Sequence, residues 1–310
     1  MNTIKRSLLF CITVLACFFV MSSSNEKPHQ TILEVRKLID NDKPSNVLLD
    51  LLEACSLQHD GSLASIVQET QRAFLRPAGK ERWELEDMIK IPQEKAQEFF
   101  KALGLVHEVK PMQMQYDYAF LMGALVGRVR MRLQYLVNLH KNGVHFRRLI
   151  ILGGARPLDA QMESSDTLLN PDTTQYPLNP SWHAPQTLPK TEIEMMQMVY
   201  EQMDLPKDFR AIPLDIVNTP MQQKDGALLR PTTVDIVNQW LATNPAPGTI
   251  LMSSNQPYVG FQDAAARALV PSSFILETVG KATQESNQAL YFDSLARWLF
   301  MEKARLEKNR

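Results

Sequence analysis

Leu149-Ile150-Ile151-Leu152-Gly153-Gly154-Ala155-Arg156 is an apolar run that stops abruptly in two glycines and an arginine. An unbroken apolar run without alternation is the pattern of a strand covered on both faces, as in a parallel sheet. The glycines let backbone approach a ligand, and Arg156 offers a planar donor fork for an anion. A Gly-Gly pair is also the punctuation of an ordinary strand-to-loop turn, so what surrounds this stretch decides its meaning.

From Pro111 onward the chain alternates strand and helix patterns, the signature of an α/β domain with a parallel sheet. Five strands are expected: Tyr116 to Met122, Arg148 to Leu152, Ala211 to Val217, Thr249 to Ser253 and Phe274 to Glu277. Val129, Leu133, Leu136, Val137 and His140 recur at helical spacing and predict a helix from Val126 to Lys141, ended by Asn142-Gly143. A second amphipathic helix is expected from Thr191 to Met203. The fold class is therefore Rossmann-like: three layers around a mainly parallel sheet of about five strands, spanning residues 111–310.

Residues 25–110 read as a helical extension. Pro44-Ser45 and Gly61-Ser62 start helices, and Pro92 opens a third that carries Phe99, Phe100 and Leu103 before Gly104. Residues 1–24 differ again: Lys5 and Arg6 precede an apolar run from Leu8 to Met21, followed by Ser22-Ser23-Ser24. That is the pattern of a secretory signal or N-terminal anchor, and it points to an exported, periplasmic or membrane-associated protein. Val14-Leu15-Ala16-Cys17 also resembles a bacterial lipobox. Membrane contact is expected only through this N-terminus, and a protein partner would use the helical extension.

A chain of 310 residues that is 45% apolar can bury a sizeable core. Its net charge of −1 gives no broad basic surface for nucleic acid. Cys11 and Cys17 lie inside the signal-like segment, which leaves Cys55 as a buried apolar residue among Leu48, Leu51 and Leu52. There is no Gly-Xaa-Gly-Xaa-Xaa-Gly, phosphate-loop lysine, Gly-Xaa-Ser-Xaa-Gly or His-Glu-Xaa-Xaa-His motif, and no metal site is expected.

Ligands of open α/β sheets bind outside the carboxyl ends of the strands. The candidate ligand-binding residues there are Gly123, Arg128 and Arg132; Gly153, Gly154 and Arg156; and Ser253, Ser254, Asn255 and Gln256. Glu192 and Asp215 are the candidate acid-base residues. Arg128, Arg130 and Arg132 read equally well as a solvated helix face, and Thr232-Thr233-Val234-Asp235 as a helix cap. The connection from Pro157 to Pro189, with Trp182 and His183, is long enough to be a lid or a surface insertion.

In order and spacing these motifs resemble the YdcF/SanA-like domain of unknown function, from about Tyr116 to the C-terminus. The resemblance rests on the helix bearing Arg128 and Arg132, the Leu149 to Gly154 strand, Thr191-Glu192, Thr232-Xaa-Xaa-Asp235 and Leu251-Met252-Ser253-Ser254. It implies a Rossmann-like fold and no settled reaction. S-adenosylmethionine binding has been associated with the family, but an exported address sits badly with that cytoplasmic metabolite, so the cofactor stays unknown. The family's histidine after the fourth strand is absent, since this chain reads Asn255-Gln256-Pro257-Tyr258. Two functions follow: an envelope protein, possible enzyme of envelope metabolism, that binds a small anionic or nucleotide-like ligand, or a non-catalytic interaction protein with a vestigial site. N-terminal sequencing of the protein recovered from a bacterial envelope should find a chain that begins beyond Ser22; an intact Met1 overturns cleavage.

Overall fold

A computed structural model describes residues 38–40, 43–77, 84–85, 89, 91–224 and 226–308. The signal-like segment, with Cys11 and Cys17, lies outside these. Among the described residues no helix is long and apolar enough to cross a membrane.

The helical extension opens with a small hairpin of β1 (Ile39–Asp40) and β2 (Lys43–Pro44), followed by α1 (Asn46–Ala54), α2 (Leu63–Phe74) and α3 (Gln93–Ala102). Ser45 and Ser62 cap the first two helices by accepting from the N–H groups of Leu48 and Ser65. Cys55 is buried beside Leu51 and Leu52, and burial pushes its thiol up to about 11.

The α/β domain begins with β3 (Gln115–Met122), α4 (Val126–Lys141) and β4 (His145–Gly154). Then come α5 (Ser165–Leu169), α6 (Glu192–Gln202), α7 (Lys207–Arg210) and β5 (Leu214–Thr219). A hairpin of β6 (Gln222–Lys224) and β7 (Ala227–Leu229) leads to α8 (Thr233–Leu241). The chain closes with β8 (Thr249–Asn255), α9 (Val259–Arg267), β9 (Ile275–Lys281) and α10 (Gln288–Lys308). The central sheet has the order β5-β4-β3-β8-β9 with every pair parallel, so the Rossmann-like expectation stands.

Because side chains alternate across a strand, the central strands must be apolar at every position to serve both faces. Leu149 and Ile151 pack with Ala119 and Leu121 under α4 and α6. Ile150 and Leu152 point the other way, with Phe120, Met122 and Trp240 under α8 and α9. A third cluster joins the extension to the C-terminal helix: Phe100 stacks on Tyr291 at 4.3 Å between ring centroids, and Phe74 stacks on Phe292 at 4.5 Å. The extension is thus packed onto the α/β domain and shares a core with it.

Gly260 marks a close approach of two helices beside that core. A Cβ there would lie 2.6 Å from the indole of the buried Trp298, so α9 and α10 can approach only with glycine. Replacing Gly260 by alanine should destabilise the fold by about 1–3 kcal/mol, the usual cost of overpacking a core. The midpoint of a urea unfolding curve measures this, and an unchanged midpoint contradicts the packing described.

Candidate functional site

Strand order runs outward from β3 through β4 to β5, then reverses to β8 and β9 on the other side of β3. The connections leaving β3 and β8 therefore diverge, and a crevice opens between them at the carboxyl ends. A cleft of about 540 Å³ occupies this place. Leu125, Thr232 and Tyr258, the N-cap residues of α4, α8 and α9, all line it, so three helix N-termini present their positive ends there.

Charge sets the cleft's character. Among the described residues its wall carries six arginines, Arg76, Arg128, Arg132, Arg156, Arg230 and Arg297, and two glutamates, Glu192 and Glu285, a formal excess of four positive charges. Behind the wall, buried Glu163 pairs with Arg156 and buried Asp293 with Arg297, which offsets two of these. Arg128 differs from both. Its guanidinium lies 4.9 Å from the centre of the Tyr258 ring and has no hydrogen bond or carboxylate partner among the described residues.

The predicted site residues separate into three groups. Gly123, Arg128, Arg132, Arg156 and Glu192 come together at the cleft. Gly123 is there because a Cβ would lie 2.7 Å from the Glu192 carboxyl carbon. Arg132 is buried and crosses the switch point, donating to the carbonyls of Met122 and Gly123 and to Asn255 Oδ1. Arg130 is buried as well, donating to the carbonyls of Thr167 and Leu168 and to Gln202 Oε1. The solvated-face alternative thus fails for both residues, and Arg128 alone of the three is a half-exposed cation.

The second group stands next to the cleft and serves the fold. A Cβ on Gly153 would lie 2.7 Å from Met196 Sδ, and one on Gly154 would lie 2.3 Å from Pro231 Cγ, so both glycines are required by close packing on the sheet. Ser253, Ser254, Asn255 and Gln256 are buried and face inward. Ser254 donates to Gln262 Oε1, Asn255 receives Arg132, and Gln256 donates to the carbonyls of Gly104 and His107 on the extension. Their expected contact with a ligand is corrected: they are locks between elements, and none of them lines the cleft.

Asp215 forms the third group and is a second correction. The strand was expected to start at Ala211, but Pro213 delays it to Leu214, so Asp215 sits at its beginning and not near its end. There it accepts two hydrogen bonds from Arg148, at 3.0 and 2.9 Å, away from the cleft. The 157–189 connection is also tied down. Pro157 bridges to Thr191, Leu168 is buried, and only Met162 of this segment reaches the cleft wall. Trp182 and His183 line a separate groove against α6 and cover nothing at the strand ends.

Glu192 is the chemically distinctive group. It is the first residue of α6, yet the capping task belongs to Glu194, which accepts from the N–H groups of Lys190 and Thr191. Glu192 turns inward: its Oε2 accepts the Gly154 N–H at 3.0 Å, and its Oε1 lies 3.4 Å from Arg156 Nη2. Arg156 is held more closely by Glu163, at 2.8 and 3.2 Å, and the Glu163 side chain is fully buried. Burial raises the Glu192 pKa, with Arg156 and the Gly154 N–H pulling it down. Glu163, Arg76, Arg230, Tyr258, Glu285 and Arg297 had no local sequence signal for a site, apart from the proximity of Arg230 to the Thr232 cap.

The raised pKa has a defined consequence for stability. Between the ordinary glutamate value and the higher folded value, the folded chain holds a proton that the unfolded chain has released, so Glu192 makes stability fall as pH rises through that window. Glu192→Gln should remove this dependence. Urea unfolding at a series of pH values from the ordinary glutamate range to neutrality should show wild type losing stability relative to the variant; a constant difference contradicts the raised pKa.

Compared with protein-family models, with curated proteins and with solved structures, the chain has no significant match in any of the three.

Proposed function

We propose that this chain binds a small anionic, phosphate-bearing ligand in the cleft at the switch point. One observation carries this: a pocket of nucleotide size whose wall holds six arginines against two glutamates, with three helix N-termini aimed into it. Arg128, stacked on Tyr258 and without an acidic partner among the described residues, is the group that meets the anion. Arg132 and Arg156 supply fixed positive charge behind it, and Glu192 is the proton donor or acceptor at the wall. The same charge disfavours S-adenosylmethionine, whose sulfonium would enter among arginines.

The motif order that resembles the YdcF/SanA-like domains supports placing the chain with them as a divergent member. The signal-like N-terminus supports an exported or envelope-associated setting, in which the ligand is a phosphorylated envelope compound. A second reading, binding without catalysis, is favoured by one feature: among its described lining residues the cleft has no serine, cysteine or histidine, which leaves the carboxyls of Glu192 and Glu285 and the hydroxyls of Thr232, Thr233 and Tyr258 for any reaction.

Arg128→Ala is the cleanest test, because its side chain makes no hydrogen bond or ion pair with the described residues. Removing this cation should weaken inorganic phosphate binding in calorimetry by about tenfold to a hundredfold, the range of a charge-assisted hydrogen bond. Arg148→Ala, at the opposite end of the sheet, should leave phosphate binding unchanged. Equal phosphate affinity in wild type and Arg128→Ala, or no binding by wild type, removes the proposal.

A further inference from the structure

We propose that the cleft takes up its oxyanion together with a proton, and that the proton binds Glu192. This rests on the anion-binding reading above and adds the protonation state in which the site works. Three buried or nearly buried groups carry it. Arg156 lies between two carboxylates, and the geometry divides it unequally: both guanidinium nitrogens contact Glu163, at 2.8 and 3.2 Å, whereas Glu192 has a single contact of 3.4 Å. Glu163 is sealed from solvent; Glu192 keeps its carboxyl at the cleft wall, packed over Gly123. The trio bears a net negative charge, and Glu192 holds the weaker share of the compensating cation.

A dianion entering the cleft meets that carboxylate. Two anions in one partly dehydrated pocket repel strongly, and the repulsion is relieved by protonation of the less compensated carboxylate, which is the stronger base. Once protonated, Glu192 changes from an acceptor to a donor, so the repulsion becomes an O–H hydrogen bond to the ligand oxygen. The Arg156 Nη2–H that faced Glu192 is then available to the same ligand, while that nitrogen keeps its 3.2 Å contact with Glu163. The step balances: one proton from solvent forms one O–H bond on Glu192, no covalent bond of the ligand breaks, and its charge is unaltered.

Of the other charged groups facing this cleft, the arginines offer no proton seat. Arg128 and Arg132 from α4, and Arg230 ahead of α8, stay cationic across the neutral range, as do Arg76 and Arg297. Glu285 precedes α10 and is the one further carboxylate on the described wall. Glu163 is held behind the wall by two Arg156 contacts and by the Asp159 N–H, with no exposed side-chain surface.

Sulfate is the suitable probe, because it keeps its charge through the neutral range whereas phosphate titrates. The full chain should bind sulfate with an affinity that falls as pH rises, approaching about tenfold per pH unit for one linked proton. Glu192→Gln, isosteric and uncharged, should bind sulfate with no pH slope over the same range. A flat profile in wild type with binding intact overturns proton uptake and leaves the anion site standing. The same slope in Glu192→Gln also overturns it, by placing the proton on Glu285 or elsewhere. Absence of both sulfate and phosphate binding removes this inference and the anion reading together. Calorimetry of wild type in two buffers of different ionisation enthalpy counts the proton directly, so the question is settled even if Glu192→Gln does not fold; a count of zero overturns the proposal.

Discussion

A parallel sheet covered on both faces imposes a directional constraint: each strand must be followed by a connection that travels back along a face, so the helices that follow begin at one edge. In this chain β3, β5, β8 and the helices after them obey that rule, and the reversal between β3 and β8 keeps neighbouring connections apart. The crevice and the three helix N-termini that line it both descend from this arrangement. The price of the opening is that the switch point must be held by side chains. Arg132 does so, tying the end of β3 to Asn255 at the end of β8.

Around that opening, charged groups are used in two ways. Buried Arg130 and Arg132 spend their donors on carbonyls and amide oxygens, which makes them structural pins for the α5 connection and for the switch point. Desolvation lowers the Arg130 pKa to about 10, so it still carries its charge at neutral pH. Among the described residues the Arg128 side chain makes only the Tyr258 stack, which holds its charge in place without neutralising it. Arg156 lies between these cases, paired with Glu163 for structure and weakly with Glu192 toward the cleft. The cleft thus presents, among the described residues, one cation without a carboxylate partner and one loosely compensated carboxylate.

The helical extension is part of the same construction. Its aromatic side chains stack on Tyr291 and Phe292 of α10, Gln256 of the switch-point turn reaches back to its carbonyls, and it contributes Arg76 to the cleft wall. The extension therefore also shapes the cleft.

Much of this was legible in the chain itself. Unbroken apolar runs at Leu149 to Leu152 and Phe120 to Met122 announce strands buried on two faces, and Asn142-Gly143 marks the end of α4 because Gly143 takes a positive φ. These signals are local: they follow from periodicity and backbone conformation, so the alternation of strands and helices determined the fold class without a tertiary contact. The fate of individual polar side chains was not local. Asp215 left the site when Pro213 shifted a strand by three residues, Ser253 to Gln256 turned inward, and Gly153 and Gly154 proved to be demanded by Met196 and Pro231. Glu163, Arg76 and Arg297 joined the site from segments with no periodic relation to it. A glutamate or arginine has the same appearance in sequence whether it caps a helix, pins a loop or meets a ligand. Only packing decides which of its charges remains uncompensated, and that residue of charge is what the cleft has to offer.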